Sequence, residues 1–544
     1  MKSKYIFFAV SLFTALSVNA QETYENAKLA GEDLNGTARY VGMGGAMEAL
    51  GADISTIGTN PAGLGLFRHS NISLSGGFVM QTNGKDFANG NKTNPSFDQI
   101  GGVYSTRTGQ KSFLNFGFNY HKGKNFDYIL NAANSLNGSS QNKQSYLKNE
   151  LGNEGKGGFH IDKNANGENI GYMNATSESI AYTWSQIDYL YWNTPIPGSP
   201  TASSYNYEPA SSYDFNRSHT GYIGNYDFNV SGNLNDRVYL GITFGLKDVH
   251  YNAYSEYTEI FANGAGAIVS DNRKITGSGF DVTAGVIVRP VAESPFRIGA
   301  YIKTPTWYDL TTSNITTLTY RNGTTKKEKS ISNSYDYKIW TPWRFGLSLG
   351  HTIGSHIALG LTYEYEDYSN INSRINDDGY YDYYYGEYYE SSSPDKYMND
   401  HTRQVLKGVS TLKLGVEYKP ITNLAVRLGY NYVSPMYSSD GQKDPGISSL
   451  GTSYASATDY TDWKATNRFT LGLGYQFRKF NIDLAYQYSA QSGDFYPFSN
   501  IRGVTITSTN PATGTTTVTE SNIATGSKVK NDRSQLLLTL GYRF

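Results

Sequence analysis

Arg468-Phe469-Thr470-Leu471-Gly472-Leu473-Gly474-Tyr475-Gln476-Phe477, then Arg478-Lys479, then Phe480-Asn481-Ile482-Asp483-Leu484-Ala485-Tyr486-Gln487-Tyr488-Ser489 are two runs in which every second side chain is apolar. Side chains of a β-strand point alternately to opposite faces, so each run presents one apolar face that ends in aromatics and one polar or small face. A two-residue connector between them reads as a hairpin. The same period of two recurs at Leu114–Tyr120, Val238–Leu246, Phe280–Val288, Trp343–Leu349, Ile357–Tyr365, Leu412–Tyr418 and Leu424–Tyr432. So many alternating segments predict an antiparallel all-β protein, and a soluble sandwich and a membrane barrel share that period.

Connector lengths separate the two. Short connectors, near Arg107–Lys111, Asn233–Asp236, Val291–Pro295, His351–Ser355, Lys419–Asn423 and Arg478–Lys479, alternate strictly with long ones. The long ones lie near Gln81–Phe97, Lys122–His219, Tyr257–Lys274, Arg321–Ser330, Asn370–His401, Met436–Asp462 and Gln491–Lys530. Short turns on one rim and long loops on the other are the asymmetry of a transmembrane β-barrel, with turns periplasmic and loops extracellular. The count predicts 14 strands. The lumen-facing set would be Arg237, Lys247, Asp281, Arg297, Lys303, Arg344, Glu364, Lys413, Glu417, Arg427, Arg468 and Asp483. On the lipid face an Arg or Lys at mid-depth would cost about 2–4 kcal/mol. The last strand ends on Leu536, Leu538, Leu540, Tyr542 and Phe544, an aromatic terminus of the kind such barrels carry.

Composition agrees with export. Of 544 residues 47 are Tyr, 57 Gly and none Cys, and 46 Lys+Arg nearly balance 47 Asp+Glu. Thiol catalysis, disulfides and Cys-based metal sites are excluded, and nothing basic points to nucleic acid. Residues 1–20 carry Lys2 and Lys4, an apolar stretch Ile6–Val18 and small residues before Gln21, which predicts a secretory signal peptide. Residues 21–69 show no period of two, and the barrel is expected over 70–544. No His-Glu-x-x-His or Gly-x-Ser-x-Gly pattern occurs, so neither enzyme activity nor a metal or other cofactor is expected.

The 21–69 segment reads Ala38-Arg39-Tyr40-Val41-Gly42-Met43-Gly44-Gly45-Ala46, Leu50-Gly51-Ala52-Asp53 and Asn60-Pro61-Ala62-Gly63-Leu64. The Gly42, Gly44, Gly45 turn is no phosphate loop, since no strand precedes it and no Gly-Lys-Ser/Thr follows. Together these stretches resemble the N-terminal hatch of the FadL-like family of outer-membrane transporters for long-chain fatty acids and hydrophobic compounds, in its Bacteroidetes-type form. Arg297–Pro305, ending in Thr-Pro, and Thr341-Pro342-Trp343 are further points of similarity. The resemblance implies a hatch plugging a 14-stranded barrel, capture of a hydrophobic small molecule at the extracellular loops, and passive, lateral release through a gap in the wall. Asn60, Pro61 and Ala62 would be the hatch gate near that gap. It also implies contact with outer-membrane lipid and lipopolysaccharide, insertion by the barrel-assembly machinery, a periplasmic C-terminus and a monomer. A general diffusion porin and a surface adhesin are the alternatives.

Two loop features add to this. Ile180, Trp184, Ile187 and Tyr191 fall on one face of a helix, with Trp192 beside them. They form either a capture groove for apolar ligands or a helix packed on the loop's own core. The run Tyr380–Tyr389 is either a sticky outer surface or a solvated hairpin tip, and Lys326–Lys329 either contacts lipopolysaccharide phosphates or is a solvated charge run.

Overall fold

A computed structural model describes residues 22–544 apart from 154, 156, 174–182, 195, 197–206, 445 and 511–513. The expected signal peptide and Ile180 therefore lie outside the described residues. Fourteen antiparallel strands close into a barrel. They are β1 (Asn71–Gln81), β2 (Thr93–Arg107), β3 (Phe113–Asn125, resumed as Tyr128–Ser135), β4 (Ala210–Leu234), β5 (Val238–Phe261), β6 (Gly266–Val288) and β7 (Arg297–Lys303, resumed as Trp307–Asn322). The circuit continues with β8 (Thr325–Trp340, resumed as Arg344–Ile353), β9 (Ile357–Asp367, resumed as Asn372–Asp382), β10 (Gly408–Ile421), β11 (Leu424–Val433), β12 (Tyr460–Phe477), β13 (Phe480–Tyr496) and β14 (Ser527–Lys530, resumed as Arg533–Arg543). Closure comes from β1 against β14, in register from Asn71↔Arg543 to Gln81↔Arg533.

The faces are those that the alternation predicts. Phe469, Leu471, Leu473, Tyr475 and Phe477 on β12 are about half exposed, as are Phe480, Ile482 and Leu484 on β13. Buried Arg427, Lys413, Glu417 and Thr470 face inward. An apolar belt on the outside of a closed barrel is the surface that a bilayer covers. Arg237 departs from expectation: it is exposed in the β4–β5 turn and donates to Arg289 O and Pro290 O, because Asn235 and Asp236 adopt positive φ and swing it to the rim.

The connectors differ more. Tyr257–Lys274 and Arg321–Ser330, expected as long loops, are mostly strand. β4, β5 and β6 run for 25, 24 and 23 residues, where about 9–11 cross a bilayer. Their outer halves are rich in Tyr, Thr and Asn, so the hairpins continue beyond the apolar belt with only a short turn between them. Pro305 and Pro342 interrupt β7 and β8 side by side, since neither can donate to the ladder. Thr306 N donates to Thr341 Oγ1 (2.8 Å) and Thr341 N to Thr306 O (3.1 Å), which knits the two breaks together. The long Lys122–His219 connector holds helices α3 (Gln141–Asn153) and α4 (Gln186–Asn193) and a small hairpin.

Residues 22–67 lie inside the barrel. Helix α1 (Thr23–Ala30) sits at the long-loop end, where Thr23 Oγ1 is 2.9 Å from His401 Nδ1 and 3.0 Å from Thr402 Oγ1 of α5 (Lys396–Val405). The chain then descends through α2 (Ala38–Gly42) and two 3-10 turns, Ile54–Gly58 and Pro61–Leu66. It leaves at the short-turn rim, where Phe67 O accepts from Ser105 Oγ. Among the described residues no helix is long and apolar enough to cross a membrane.

Candidate functional site

The lower lumen is built around glycine. Gly350, Gly360, Gly415 and Gly429, on β8 to β11, are cross-strand partners in one continuous row. A Cβ on Gly360 would strike Ala46 O, one on Gly415 would strike Met43 O, and one on Gly429 would strike Gly44 N. Gly44 and Gly45 take φ of +63° and +79°, values that favour glycine. The Gly-rich turn found in the sequence therefore lays its backbone on a glycine track in the wall. On the adjoining strands β5, β6 and β7, Gly241, Gly285 and Gly299 admit Asn60 and Pro61 in the same way. Asn60 is fully buried and extended (φ −104°, ψ 96°), as the residue before proline should be. Its Oδ1 accepts from Ala62 N (3.2 Å) and its Nδ2 donates to Val286 O (3.4 Å).

Charged side chains join segment to wall. Glu48 accepts from Tyr40 Oη (3.0 Å), Lys413 Nζ (2.9 Å) and Thr362 Oγ1 (2.7 Å), and Lys413 also reaches Glu364 (2.6 Å). Glu417 lies between Arg39 (3.3 Å) and Arg427 (2.7 Å), and Arg427 continues to Asp483 (2.6 Å). Glu32 is shared by Arg344 (2.6 Å), Lys303 (3.0 Å) and Lys247 (3.6 Å). Burial alone would push the Glu32 carboxyl up, yet those three cations hold it well below the usual carboxylate range. Much of the inward-facing charge predicted from alternation thus meets its partner on residues 22–67.

Above this layer the lumen is open. A cavity of about 270 Å³ is walled on one side by Tyr24, Phe126, Val433, Tyr437, Tyr460 and Trp463. Tyr24 stacks on Tyr437 at 5.1 Å and donates to Asp462 Oδ1 at 2.9 Å. Lys28, Lys124, Arg468 and Arg533 line the same space, and so do Glu22, Glu25, Glu32, Asp33 and Asp459. Lys124 donates to Gly31 O (3.1 Å), Arg533 to Asn125 O (3.2 Å), and Lys28 lies over the Tyr251 ring. Among the described residues none of Lys28, Lys124 and Arg533 has a carboxylate within ion-pair distance. A chamber with aromatic side chains and charged groups of both signs suits an apolar molecule that carries a charged head.

The wall beside this chamber is incomplete. β2 and β3 pair only from Arg107↔Phe113 to Gln99↔His121, although β2 continues to Thr93 and β3 to Asn125. β3 shifts register against β4 at Lys122/Lys124, breaks at Phe126-Asp127 and resumes paired to β4. A side cavity of about 80 Å³ adjoins the gap, with Asn35, Asp98, Lys122 and Gln535 among its lining.

The residues singled out in the sequence fall in different places. Asn60, Pro61 and Ala62 pack on β5–β7, while the β2–β3 gap is approached by Asn35, whose Nδ2 donates to Asp98 Oδ1 (3.0 Å). Trp184 precedes α4, whose capping box is Ser185 with Asp188, and packs edge-on against Phe159 at 4.9 Å. Ile187 and Tyr191 are buried with Leu130, Tyr213 and Phe261, and Trp192 is half-buried, so these side chains pack against the outer ends of β3, β4 and β5. Tyr383 and Tyr384, at the tip of a hairpin, are 90% and 88% exposed. Lys326 pairs with Glu328, and Lys329 with Glu168. The chamber itself carried no sequence signal, because Tyr24, Phe126, Val433 and Tyr460 come from four distant segments. Among the described residues no group of three or more His, Asp or Glu could hold a metal ion.

No family model matches the sequence, and no curated protein matches it. Similar solved structures include the Ralstonia pickettii toluene transporter TbuX, 12% identical with a TM-score of 0.44, covering 94% of this chain and 99% of that one. The Pseudomonas putida toluene transporter TodX is 12% identical with a TM-score of 0.43, covering 94% and 99%. A Pseudomonas aeruginosa FadL homologue is 11% identical with a TM-score of 0.43, covering 97% and 99%. Similarity at this level assigns neither a family nor a substrate to the chain.

Proposed function

We propose that the protein is a bacterial outer-membrane channel for passive uptake of small hydrophobic molecules, working as the FadL-like resemblance implies. Residues 21–69 act as the hatch, residues 70–544 as the barrel, and ligand held in the upper chamber leaves sideways rather than through the plugged lower lumen. The observation that carries this reading is the β2–β3 gap beside a cavity, above a lumen filled by the N-terminal segment. Lateral exit spares an apolar molecule contact with periplasmic water. Lys28, Lys124 and Arg533, with Glu25 and Asp33 beside them, favour an amphiphile with a charged head, such as a fatty acid, over an aromatic hydrocarbon. Ligand enters past the long hairpins and loops, which face outward with the C-terminus periplasmic, and the barrel is a monomer inserted by the barrel-assembly machinery among lipid and lipopolysaccharide.

Asn60, Pro61 and Ala62 would act as the hatch gate, their seat on β5–β7 setting the hatch position from which ligand is passed sideways. Labelled palmitate should cross reconstituted vesicles with wild-type protein and fail to do so after Asn60-Pro61-Ala62 is replaced by Gly-Gly-Gly. Undiminished crossing in that variant would remove the gate assignment, and no crossing of any apolar probe with the wild type would remove the transport reading. The porin alternative fits less well, because a backbone seated on four wall glycines leaves little room for solute. Adhesion draws its support from the tall hairpins and the exposed Tyr383 and Tyr384.

A further inference from the structure

The gap between β2 and β3 holds two buried charges that do not touch. Asp98 is fully buried and Lys122 is 9% exposed. Lys122 Nζ donates to Ser96 Oγ at 2.9 Å, and Ser96 Oγ in turn donates to Asp98 Oδ1 at 2.8 Å. Asn35 Nδ2 and Gln535 Nε2 also donate to Oδ1, at 3.0 and 3.2 Å. Asp98 Oδ2 is buried and accepts no hydrogen bond among the described residues. Lys122 has no carboxylate within ion-pair distance among them, and its ammonium lies 5.6 Å from the centre of the Tyr222 ring.

The position of Lys122 makes this more than an internal contact. Its backbone pairs with Gly224, in the outward-facing series with Tyr120 and Tyr226, whereas Ser96 is buried on the other side of β2. The side chain therefore crosses the gap. Outside it, Phe97 stacks on Tyr120 at 5.8 Å and Tyr120 meets Tyr226 at 5.0 Å. A molecule leaving through this opening must displace the Lys122 ammonium from Ser96 and pass Asp98.

Charge balance decides which molecule can do so. A neutral hydrocarbon would separate Lys122 from Ser96 and offer nothing to either charge. A simple carboxylate would answer Lys122 but bring a second negative charge to a buried Asp98, and like charges at close range are unfavourable. A head with both signs can exchange partners with the pair, its cation reaching Asp98 Oδ2 and its anion reaching Lys122, so that no buried charge is stranded. We propose that Asp98, Ser96 and Lys122 form a headgroup site at the lateral gap that takes a single-chain zwitterionic amphiphile, with its ammonium on Asp98 and its phosphate or carboxylate on Lys122. This rests on the lateral exit of the transport reading and adds the substrate class that the exit selects.

The test is calorimetric binding to the full-length protein in nanodiscs, with 1-palmitoyl lysophosphatidylethanolamine and palmitate compared at the same chain length. Wild-type protein should bind the zwitterion at least tenfold more tightly. Asp98→Asn keeps the shape and removes the charge, and should bring the ratio to within twofold by weakening the zwitterion and relieving the repulsion of palmitate. Lys122→Met should weaken both ligands. A merely structural role would move both ligands together in Asp98→Asn. Equal affinities in the wild type, or an unchanged ratio in Asp98→Asn, would overturn the proposal. Because binding is read without transport, a wild type that binds selectively but moves neither palmitate nor the lysophospholipid across vesicles would refute the transport reading and leave the headgroup site standing.

Discussion

The lower and upper halves of the lumen are lined by the same strands and filled in opposite ways. Below, the N-terminal backbone lies on wall glycines, Glu48 meets Lys413, and Glu417 and Glu32 are each shared by cations. Above, Tyr24 and Tyr437 stand beside Lys28, Lys124 and Arg533, and about 270 Å³ stays open. The difference lies in side-chain volume and charge pairing. Where β8–β11 present glycine, backbone fills the space and the remaining charges find fixed partners; where β10–β14 present Val433, Tyr460 and Arg533, no backbone can approach so closely. A plug and a chamber are thus two outcomes of one alternating pattern.

The largest disturbance to this contrast should come from the glycine track. Gly360→Leu combined with Gly415→Leu places two side chains where Ala46 O and Met43 O now lie, and overpacking costs about 1–3 kcal/mol per site. The segment should lift off while the barrel still closes, so planar-bilayer recordings should show a persistent conductance that the wild type lacks. The same change at Gly232, where a Cβ meets nothing within 4 Å, should leave the conductance as it was.

A smaller effect should follow Glu32→Gln, which strands Lys247, Lys303 and Arg344 around a neutral amide. Breaking a buried ion pair costs about 3–5 kcal/mol; Glu32 is only partly buried and Asp281 and Glu366 still face these cations, so a loss below that range is expected in thermal unfolding. Its pH dependence has a defined sign. Glu32 has a folded pKa below its unfolded value of about 4.3. Its stabilisation is therefore complete above about pH 5 and is lost as pH falls through the lowered folded value. Plug release, read as conductance, should appear only on acidification, and Glu32→Gln should abolish this contribution to the pH dependence. A release that grows with rising pH would contradict the assignment.

The smallest effect belongs to the chamber. Lys124→Met should weaken palmitate binding roughly tenfold, the scale of one charge-assisted hydrogen bond, and should leave hexadecanol binding within twofold. Equal losses for both ligands would mean that Lys124 shapes the chamber without meeting a charged head, and the upper half would then resemble the lower.

How much of this was legible follows from distance along the chain. The faces of β12 and β13 are readable from Arg468–Ser489 alone, and Asn60 was expected to be extended because Pro61 follows it. Tyr257–Lys274 misled, because polar Thr, Asn and Tyr residues form strands as readily as loops once a hairpin neighbour supplies the ladder. Arg237 misled for a local reason, the positive φ of Asn235 and Asp236. The stripe through Ile180 and Tyr191 held correct apolar residues at Ile187 and Tyr191, but apolar periodicity marks a face to be covered without saying what covers it.

By itself the sequence determined an alternating antiparallel barrel with short turns on one rim and longer excursions on the other, charges on the inward face, and a Gly-rich segment ahead of the first strand. These follow from side-chain alternation, which any ten residues of a strand display, and from where along the chain it stops. The tertiary structure alone decided that Gly350, Gly360, Gly415 and Gly429 stand in one row, that Glu32 gathers Lys247, Lys303 and Arg344, and that β2 and β3 part above Gln99. Each of these depends on register and closure, which bring together residues tens to hundreds of positions apart and leave no mark within any one of the segments they join.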